Sequence, residues 1–294
     1  MTDLQPAGEL VLDGISRTYG EVCAIGSITA TVPAAQVTVI VGPSGCGKST
    51  LLRICSGLEQ PTEGHVSFDG AAVTGVPDGL AMVFQDYSRS LFPWMNVEAN
   101  IGFPLRSVLS SAQRRQRVQE SVEAVGLADK ERLYPWQMSG GMQQRVAIAR
   151  ALASHPRLLL MDEPYASVDA QTRADLEDLL LSIQDRLNVT VLVVTHDIDE
   201  SIYLADRVVV LSKAPSVVVE TIPIDLPRPR DHITTKADPR FVELRTRVAR
   251  LLRPSLHQAA PSAADPEPTL RAAPSPRPDQ PATTGVPLRV NRGA

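Results

Sequence analysis

Three apolar runs with little alternation predict buried strands. They are QVTVIV at 36–41, RLLLMD at 157–162 and VTVLVVTH at 189–196. A strand that is covered on both faces reads as such a continuous run rather than as an alternation of period two. Between the last two runs, apolar residues recur at helical spacing, at Leu176, Leu179, Leu180, Ile183 and Leu187. The order strand, helix, strand predicts a parallel sheet with crossover helices.

The remaining patterns differ on either side of these runs. LVLDGISRTYG, AIGSITATV and HVSFDG, in the first seventy residues, are typical of antiparallel strands joined by turns. Residues 95–136 carry helical runs such as VQESVEAVGL and no strong strand. We therefore predict an α/β fold whose core carries an antiparallel β subdomain and an inserted α-helical subdomain at about 90–150.

The composition changes sharply near Pro254. Residues 255–294 contain eight of the 24 prolines in the chain and no aromatic residue. Such a segment cannot bury enough apolar surface to offset the entropy lost on ordering. We predict a globular domain over 1–253 and a disordered Pro/Ala-rich tail over 254–294, and the sequence assigns no role to the tail.

Overall composition narrows the class of protein. The chain has 294 residues, is 43% apolar and carries a net charge of −4, so no basic field points to nucleic acid. Cys23, Cys46 and Cys55 have no metal-ligand spacing, which favours a reducing compartment. The N-terminus resembles no signal peptide, and no run reaches the ~20 apolar residues of a membrane span. We expect a soluble chain that would need a partner to act across a membrane.

GPSGCGKS at 42–49 fits the phosphate-binding pattern G-x-x-x-x-G-K-[ST], and it lies between an apolar strand and the helical run KSTLLRICSGL. Backbone N–H groups of the glycine-rich loop can surround phosphate oxygens, Lys48 can reach the terminal phosphates, and the Ser49 hydroxyl can bind Mg²⁺. A plain glycine-rich turn is the alternative interpretation. The predicted nucleotide-binding residues here are Gly42, Pro43, Ser44, Gly45, Cys46, Gly47, Lys48, Ser49 and Thr50.

LLLMDEP at 158–164 places two carboxylates at the end of a buried strand. Asp162 can hold Mg²⁺ through water, and Glu163 can orient or deprotonate the attacking water. Taken alone, an acidic pair before Pro164 could also be the start of a loop. Its combination with the phosphate-binding loop favours the catalytic interpretation.

A second anion-binding feature is MSGGMQQR at 138–145. Ser139 is predicted as the N-cap of a helix, and Gly140 and Gly141 leave its first backbone N–H groups uncovered. Such a terminus attracts anions, although the chain already has one phosphate-binding loop.

In order and spacing, these segments resemble the ATP-binding subunit of an ABC transporter, over about residues 8–250, and MSGGMQQRVAIARAL is similar to the signature of that family. The resemblance implies ATP hydrolysis coupled to transport. It implies that Tyr19 stacks on adenine, Gln85 contacts Mg²⁺ and the attacking water, and Asp169 crosses a dimer interface. It also implies that His196 contacts the γ-phosphate. Purely structural roles are the alternatives for Tyr19, as a hairpin residue, and for His196.

The resemblance also implies why there are two anion sites. In the ATP-bound homodimer, Ser139 and Gly141 of one subunit would close over the γ-phosphate held by Lys48 of the other. Two positions depart from the family pattern. Met142 replaces the usual glutamine, with an effect that the sequence does not reveal, and the aspartate loop reads Ala-Ser-Val-Asp rather than Ser-Ala-Leu-Asp.

Finer features resemble the nitrate/sulfonate/taurine importer group: FPW after Gln85, SGGMQQR with its methionine, VTHDIDES, and LPRPRDHITTKADPRFVELRTRV. This implies integral-membrane permease partners, an indirect extracytoplasmic solute-binding protein, and a peripheral location on the cytoplasmic face of the membrane. Residues 91–94 either form the groove for a cytoplasmic helix of the permease or pack inside the helical subdomain.

The solute and the identity of the permease and binding protein are not encoded in these motifs. An importer of another small solute remains an alternative function, as does a soluble ABC ATPase acting without a permease. A third alternative is an ATP-gated scaffold that does not hydrolyse ATP, but the presence of Glu163 and His196 disfavours it.

Overall fold

The computed structural model describes residues 6–253, apart from the side chains of residues 87 and 88. Within that range, ten strands form one sheet in the order β5-β4-β1-β2-β10-β9-β3-β8-β7-β6. The strands are β1 Leu10–Tyr19, β2 Val22–Val32, β3 Val37–Val41, β4 Glu63–Phe68, β5 Ala71–Ala72, β6 Leu80–Val83, β7 Leu158–Asp162, β8 Thr190–Thr195, β9 Arg207–Leu211 and β10 Ser216–Pro223. The helices are α1 Lys48–Cys55, α2 Tyr87–Ser90, α3 Val97–Gly102, α4 Ser111–Ala124, α5 Gly140–Leu152, α6 Ala170–Leu187, α7 Ile198–Leu204, α8 Thr234–Ala237 and α9 Pro239–Leu252.

The sheet combines the two predicted halves. Strands β9, β3, β8, β7 and β6 pair in parallel, whereas β1, β2, β4 and β5 pair antiparallel. Strand β10 joins them, because it pairs antiparallel with β9 and parallel with β2. The predicted α/β class and the antiparallel β layer are confirmed.

The apolar runs are continuous because each parallel strand faces two cores. Every residue of β3, β7 and β8 is buried. Successive side chains point to opposite faces of a sheet. Val39, Leu159 and Val193 pack into one core with α6, α7 and α9, whereas Ile40, Leu160 and Leu192 pack into the other with α1, β1 and β2. Burial on both sides fixes the positions of the strand ends, where the predicted chemistry lies.

The predicted helical subdomain is present between β6 and β7, where α2 to α5 follow one another. The buried side chain of Asn100 stabilises the loop that precedes α3 in this subdomain. Its side-chain oxygen accepts a hydrogen bond from the backbone of Phe92 at 2.8 Å, and its amide donates to the carbonyls of Met95 and Asn96 at 2.9 and 3.1 Å. One polar side chain therefore holds the loop 92–96 in shape without an element of its own.

Residues 91–94 divide into a buried part and an exposed part, and the predicted groove for a permease helix stays a prediction. Leu91 is only 2% exposed and packs inside the subdomain. Trp94 is 68% exposed, and its ring centroid lies 5.5 Å from that of Phe92, which in turn lies 4.6 Å from that of Phe103. An exposed aromatic surface, Phe92–Trp94–Phe103, therefore sits on this subdomain.

Among residues 6–253, no helix combines the length and apolarity required to cross a membrane. The predicted tail at 254–294 lies outside the described residues.

Candidate functional site

The residues predicted to bind phosphate and Mg²⁺ and to hydrolyse ATP meet at one edge of the parallel sheet. Strand β3 leads into the loop before Lys48, β7 ends at Asp162 just before Glu163, and β8 ends just before His196. Strand β6 ends two residues before Gln85. Because β3, β8, β7 and β6 are adjacent and parallel, their carboxyl ends share one edge, where ligands bind in open α/β sheets.

The loop 42–47 has a backbone that only glycine tolerates at key positions. Gly45 and Gly47 adopt φ angles of 76° and 93°, in the left-handed region. A Cβ added at Gly42 would lie 2.8 Å from the sulfur of Cys46. The loop ends at Gly47, the N-cap of α1, so the unpaired N–H groups at the start of that helix belong to the same loop. Pro43, Ser44 and Thr50 lie in this loop and the first turn of α1, as predicted.

Lys48 is held across the loop. It is 6% exposed, and its ammonium donates hydrogen bonds to the carbonyls of Gly42 at 3.0 Å and Pro43 at 3.2 Å. The same nitrogen lies 3.6 Å from a carboxylate oxygen of Glu163. Burial raises the pKa of the neighbouring Cys46 thiol, against the opposing effect of the Lys48 charge. The thiol therefore stays neutral inside the loop.

Ser49 and Asp162 form a pair of hard oxygen groups. The Ser49 hydroxyl donates to a carboxylate oxygen of Asp162 at 3.1 Å, and Asp162 is 7% exposed. Burial raises the pKa of Asp162, and the hydrogen bond from Ser49 opposes that rise. A buried carboxylate next to a hydroxyl suits Mg²⁺, which prefers oxygen ligands and keeps few from the protein.

Glu163 is the centre of the site. Gln85 donates to its Oε2 at 3.3 Å, and Nδ1 of His196 lies 3.1 Å from the same oxygen. Its own backbone has φ of 40°, a left-handed conformation that is unfavourable for a residue with a side chain. Such strain persists only where the surroundings impose it and is concentrated at functional sites. The structure brings the side chains of Gln85, Glu163 and His196 together in one cluster.

Tyr19 lies at the end of β1, at the tight turn to β2, with 44% of its surface exposed. Its hydroxyl donates a hydrogen bond to Glu59, and the guanidinium of Arg17 lies 4.6 Å from the ring centroid. Tyr19 therefore lies in the hairpin and keeps part of its ring exposed. Its predicted stacking on adenine stays a prediction.

The second anion-binding feature is a separate helix terminus. Ser139 is the N-cap of α5 as predicted, and its hydroxyl accepts a hydrogen bond from the backbone N–H of Met142 at 3.3 Å. Gly140 is the first residue of the helix. No hydrogen bond or ion pair within the described part of the chain joins Ser139 to Lys48. Met142 is partly buried against the core, which gives the residue a packing role.

Gly141 touches the helix that follows Asp169. Asp169 is the N-cap of α6, and its carboxylate accepts hydrogen bonds from the backbone and the hydroxyl of Thr172 at 3.0 and 2.7 Å. These bonds lower the pKa of Asp169. A Cβ on Gly141 would lie 2.3 Å from the methyl carbon of Thr172. Only glycine fits at position 141 in this packing.

We expect Gly141→Ala to lower the free energy of unfolding by about 1–3 kcal/mol, the usual cost of overpacking. Thr172→Ser removes the obstructing methyl and keeps the hydroxyl that bonds Asp169. The double variant should therefore recover most of the lost stability, as measured by urea unfolding. Equal destabilisation of the single and double variants would contradict this packing.

Two functional candidates escaped the sequence analysis. Arg173 donates to a carboxylate oxygen of Asp197 at 3.1 Å, next to His196. Asp197 could have been recognised as a helix N-cap, because Glu200 follows three residues later in the pattern of a capping box. No local pattern distinguishes Arg173 from other helical arginines.

Comparison with known proteins places this geometry in a family. A sequence profile described as "ABC transporter" matches residues 25–166. The nitrate import ATP-binding protein NrtD of Synechococcus elongatus is 40% identical over 247 residues, 81% of this chain and 89% of that protein. The aliphatic sulfonates import ATP-binding protein SsuB 1 of Xanthomonas axonopodis pv. citri is 48% identical over 198 residues, 67% of this chain and 78% of that protein.

Solved structures agree with the sequence comparison. The ABC transporter cassette MJ0796, solved as a dimer, superposes with a TM-score of 0.65 at 32% identity, covering 73% of this chain and 98% of that one. The same cassette was also solved as a dimer in a post-hydrolysis state with ADP and Pi. The chain belongs to the ABC transporter family, as one of the ATP-binding subunits that hydrolyse ATP to drive transport.

Proposed function

We propose that this chain is the ATPase subunit of an importer for a small anion of the nitrate, sulfonate or taurine type. The observation that carries the proposal is its 40% and 48% identity to ATP-binding proteins named for nitrate and aliphatic sulfonate import. In this function the chain hydrolyses ATP, while other subunits contact the solute.

The proposed hydrolytic step uses the cluster around Glu163. Lys48 and the loop N–H groups bind the phosphates, and Glu163 accepts a proton from the attacking water. Gln85 and His196 hold that carboxylate from one side, which leaves its other oxygen facing Lys48. In the proposed complex, His196 contacts the γ-phosphate, and Gln85 contacts Mg²⁺ and the attacking water.

Ser49, Asp162 and Gln85 are the proposed Mg²⁺ residues. Ser49 donates a hydrogen bond to Asp162, and Gln85 donates one to Glu163, the next residue in the chain. Bound there with ATP, the cation would neutralise charge on the phosphates. Among the described residues, no group of three or more histidine, cysteine or acidic residues could hold a metal ion. Mg²⁺ sites in nucleotide enzymes typically use one or two protein groups and substrate phosphates.

The proposed ATP-bound state is a homodimer. The start of α5 carries Ser139 and Gly141, and no hydrogen bond or ion pair among the described residues joins Ser139 to Lys48 of the same chain. A head-to-tail dimer would place the start of α5 over the γ-phosphate bound by Lys48 of the other subunit, near Asp169. The dimeric state of MJ0796 supports a dimer of this chain.

The Phe92–Trp94–Phe103 surface is the proposed contact for a cytoplasmic helix of the permease. A cavity of about 420 Å³ lies on the same subdomain, lined by residues that include Gly102 and Arg106. Exposed aromatic surface of this kind marks interaction sites. The chain would then be peripheral, on the cytoplasmic face of the membrane, and linked through the permease to an extracytoplasmic binding protein. This surface favours the importer over an ABC ATPase without a permease.

The solute is tested by growth. A chromosomal Glu163→Gln strain is compared with the parent strain on single sulfur or nitrogen sources at low concentration: taurine, alkanesulfonates, sulfate esters and nitrate. We expect selective failure on one sulfonate or on nitrate, since only uptake of the cargo requires this ATPase. A Glu123→Gln strain, altered on an exposed face of α4, is the control. Normal growth on every source would contradict the proposed solute class.

A further inference from the structure

Two neighbouring loops of the site end in aspartates that start helices. Asp169 caps α6, and Asp197 caps α7 by accepting a hydrogen bond from the backbone of Glu200 at 3.1 Å. Asp197 directly follows His196, and its own N–H donates to the hydroxyl of Thr195 at 3.1 Å. The position of His196 is therefore tied to the start of α7.

Arg173 connects these two helix starts. It lies in the first turn of α6, where its backbone N–H donates to the carbonyl of Asp169 at 2.9 Å. Its guanidinium donates to Oδ2 of Asp197 at 3.1 Å, while Oδ1 of Asp197 caps α7. The two oxygens of the Asp197 carboxylate therefore make different contacts: one pairs with Arg173 and the other caps α7. A displacement of α6 would be passed to the loop that carries His196.

The connection continues at both ends. On one side, Thr172 bonds Asp169 and packs against Gly141 at the start of α5. On the other side, His196 contacts Oε2 of Glu163 at 3.1 Å. A continuous series of contacts therefore leads from the signature glycines of a subunit to the carboxylate of its own hydrolytic site.

Two buried glutamates lie near the positive charge of Arg173. Glu177 in α6 and Glu200 in α7 are 2% and 4% exposed, and Arg173 is among the charges that favour their ionised forms. Other charged groups near Glu177 are Lys236 of α8, Asp178, Asp197 and His232. Within the described structure, Nε of Arg173 is buried without a hydrogen-bond partner. The guanidinium is therefore held through its ion pair with Asp197.

We propose that Arg173 is a positioning residue for ATP hydrolysis. Through its ion pair with Asp197 it fixes the loop of His196, and through that loop the carboxylate of Glu163. The proposal rests on the proposed function, in which Glu163 acts on the attacking water. Arg173 touches neither ATP nor water; it determines whether the hydrolytic groups are aligned once ATP is bound.

The test is steady-state ATP hydrolysis by the full-length chain with Mg²⁺. Arg173→Gln removes the charge, and Asp197→Asn removes the ion pair but keeps a good N-cap. Each should lower kcat about tenfold with KM and ATP affinity within about twofold, because a small misplacement near reacting groups costs rate rather than binding. Arg173→Lys should retain most of kcat, since the positive charge remains.

A double-mutant cycle decides whether the two residues act together. The Arg173→Gln/Asp197→Asn double variant should be no slower than either single variant, because both remove the same contact. Effects that multiply would overturn the proposal, as would an unchanged kcat in Arg173→Gln. Arg240→Gln is the matched control, because Arg240 forms a 2.8 Å pair with Asp225 at the start of α9 and should leave kcat unchanged.

Two further measurements distinguish a failure of the positioning role from unfolding of the variant and from a failure of the proposed function. Thermal unfolding shows whether Arg173→Gln is folded, and if it is not, the cap-preserving Asp197→Asn carries the test. Glu163→Gln in the same assay tests the proposed function itself. Retained turnover in Glu163→Gln would show that Glu163 is not the base. If Glu163→Gln loses turnover while Asp197→Asn keeps a normal rate, Glu163 remains the base and only the positioning role is overturned.

Discussion

Glu163→Gln is expected to lower ATP turnover by at least about 100-fold, the lower range of what a general base contributes. The amide matches the carboxylate in shape but cannot accept the proton of the attacking water. Gln85 and His196 lose a charged partner but keep an oxygen to contact. Phosphate release by the full-length chain with Mg²⁺ and ATP measures the effect.

ATP affinity should survive this substitution. Removing a negative charge 3.6 Å from Lys48 reduces repulsion toward phosphate, so binding measured by calorimetry should stay equal or become tighter. A dimer that cannot hydrolyse ATP should then accumulate, visible by light scattering after gel filtration with ATP. Glu123→Gln is the exposed control. Turnover within about threefold of the unsubstituted chain would show that the proton acceptor lies elsewhere.

Lys48→Ala is expected to weaken ATP binding about 10- to 100-fold, because one or more charge-assisted hydrogen bonds to phosphate are lost. The substitution also leaves the carbonyls of Gly42 and Pro43 without their donor, which loosens the loop before any ligand binds. Calorimetric titration with ATP checks the prediction, and the exposed Lys130→Ala is the control. Unchanged ATP affinity would contradict the placement of Lys48 at the phosphates.

The positions of these two residues in the fold were predictable because their signals are local, whereas their roles stay predictions. The glycines before Lys48 permit a backbone that few other residues adopt, Asp162 ends an apolar strand, and Glu163 follows it directly. The N-caps Ser139 and Asp169 were also readable, since a cap depends on its own helix. The parallel strands were readable because burial on both faces leaves a continuous apolar run.

Other features depend on residues that are remote in sequence. The position of β10 between the two halves of the sheet was not predicted, because its parallel partner β2 is remote in sequence and lies beside it only in the folded chain. The Arg173–Asp197 pair joins two helices whose separation in sequence hides the contact. The left-handed backbone of Glu163 likewise has no marker, since glycine or asparagine would be the usual residue there.

The clamp around Asn100 has a consequence for molecular recognition. Its hydrogen bonds to Phe92, Met95 and Asn96 hold the loop that displays Trp94. A loop already locked in one conformation loses little conformational entropy when a partner docks on it, so more of the contact energy remains as affinity. Asn100, which stabilises the helical subdomain, would thereby also affect the affinity of the proposed contact with a permease.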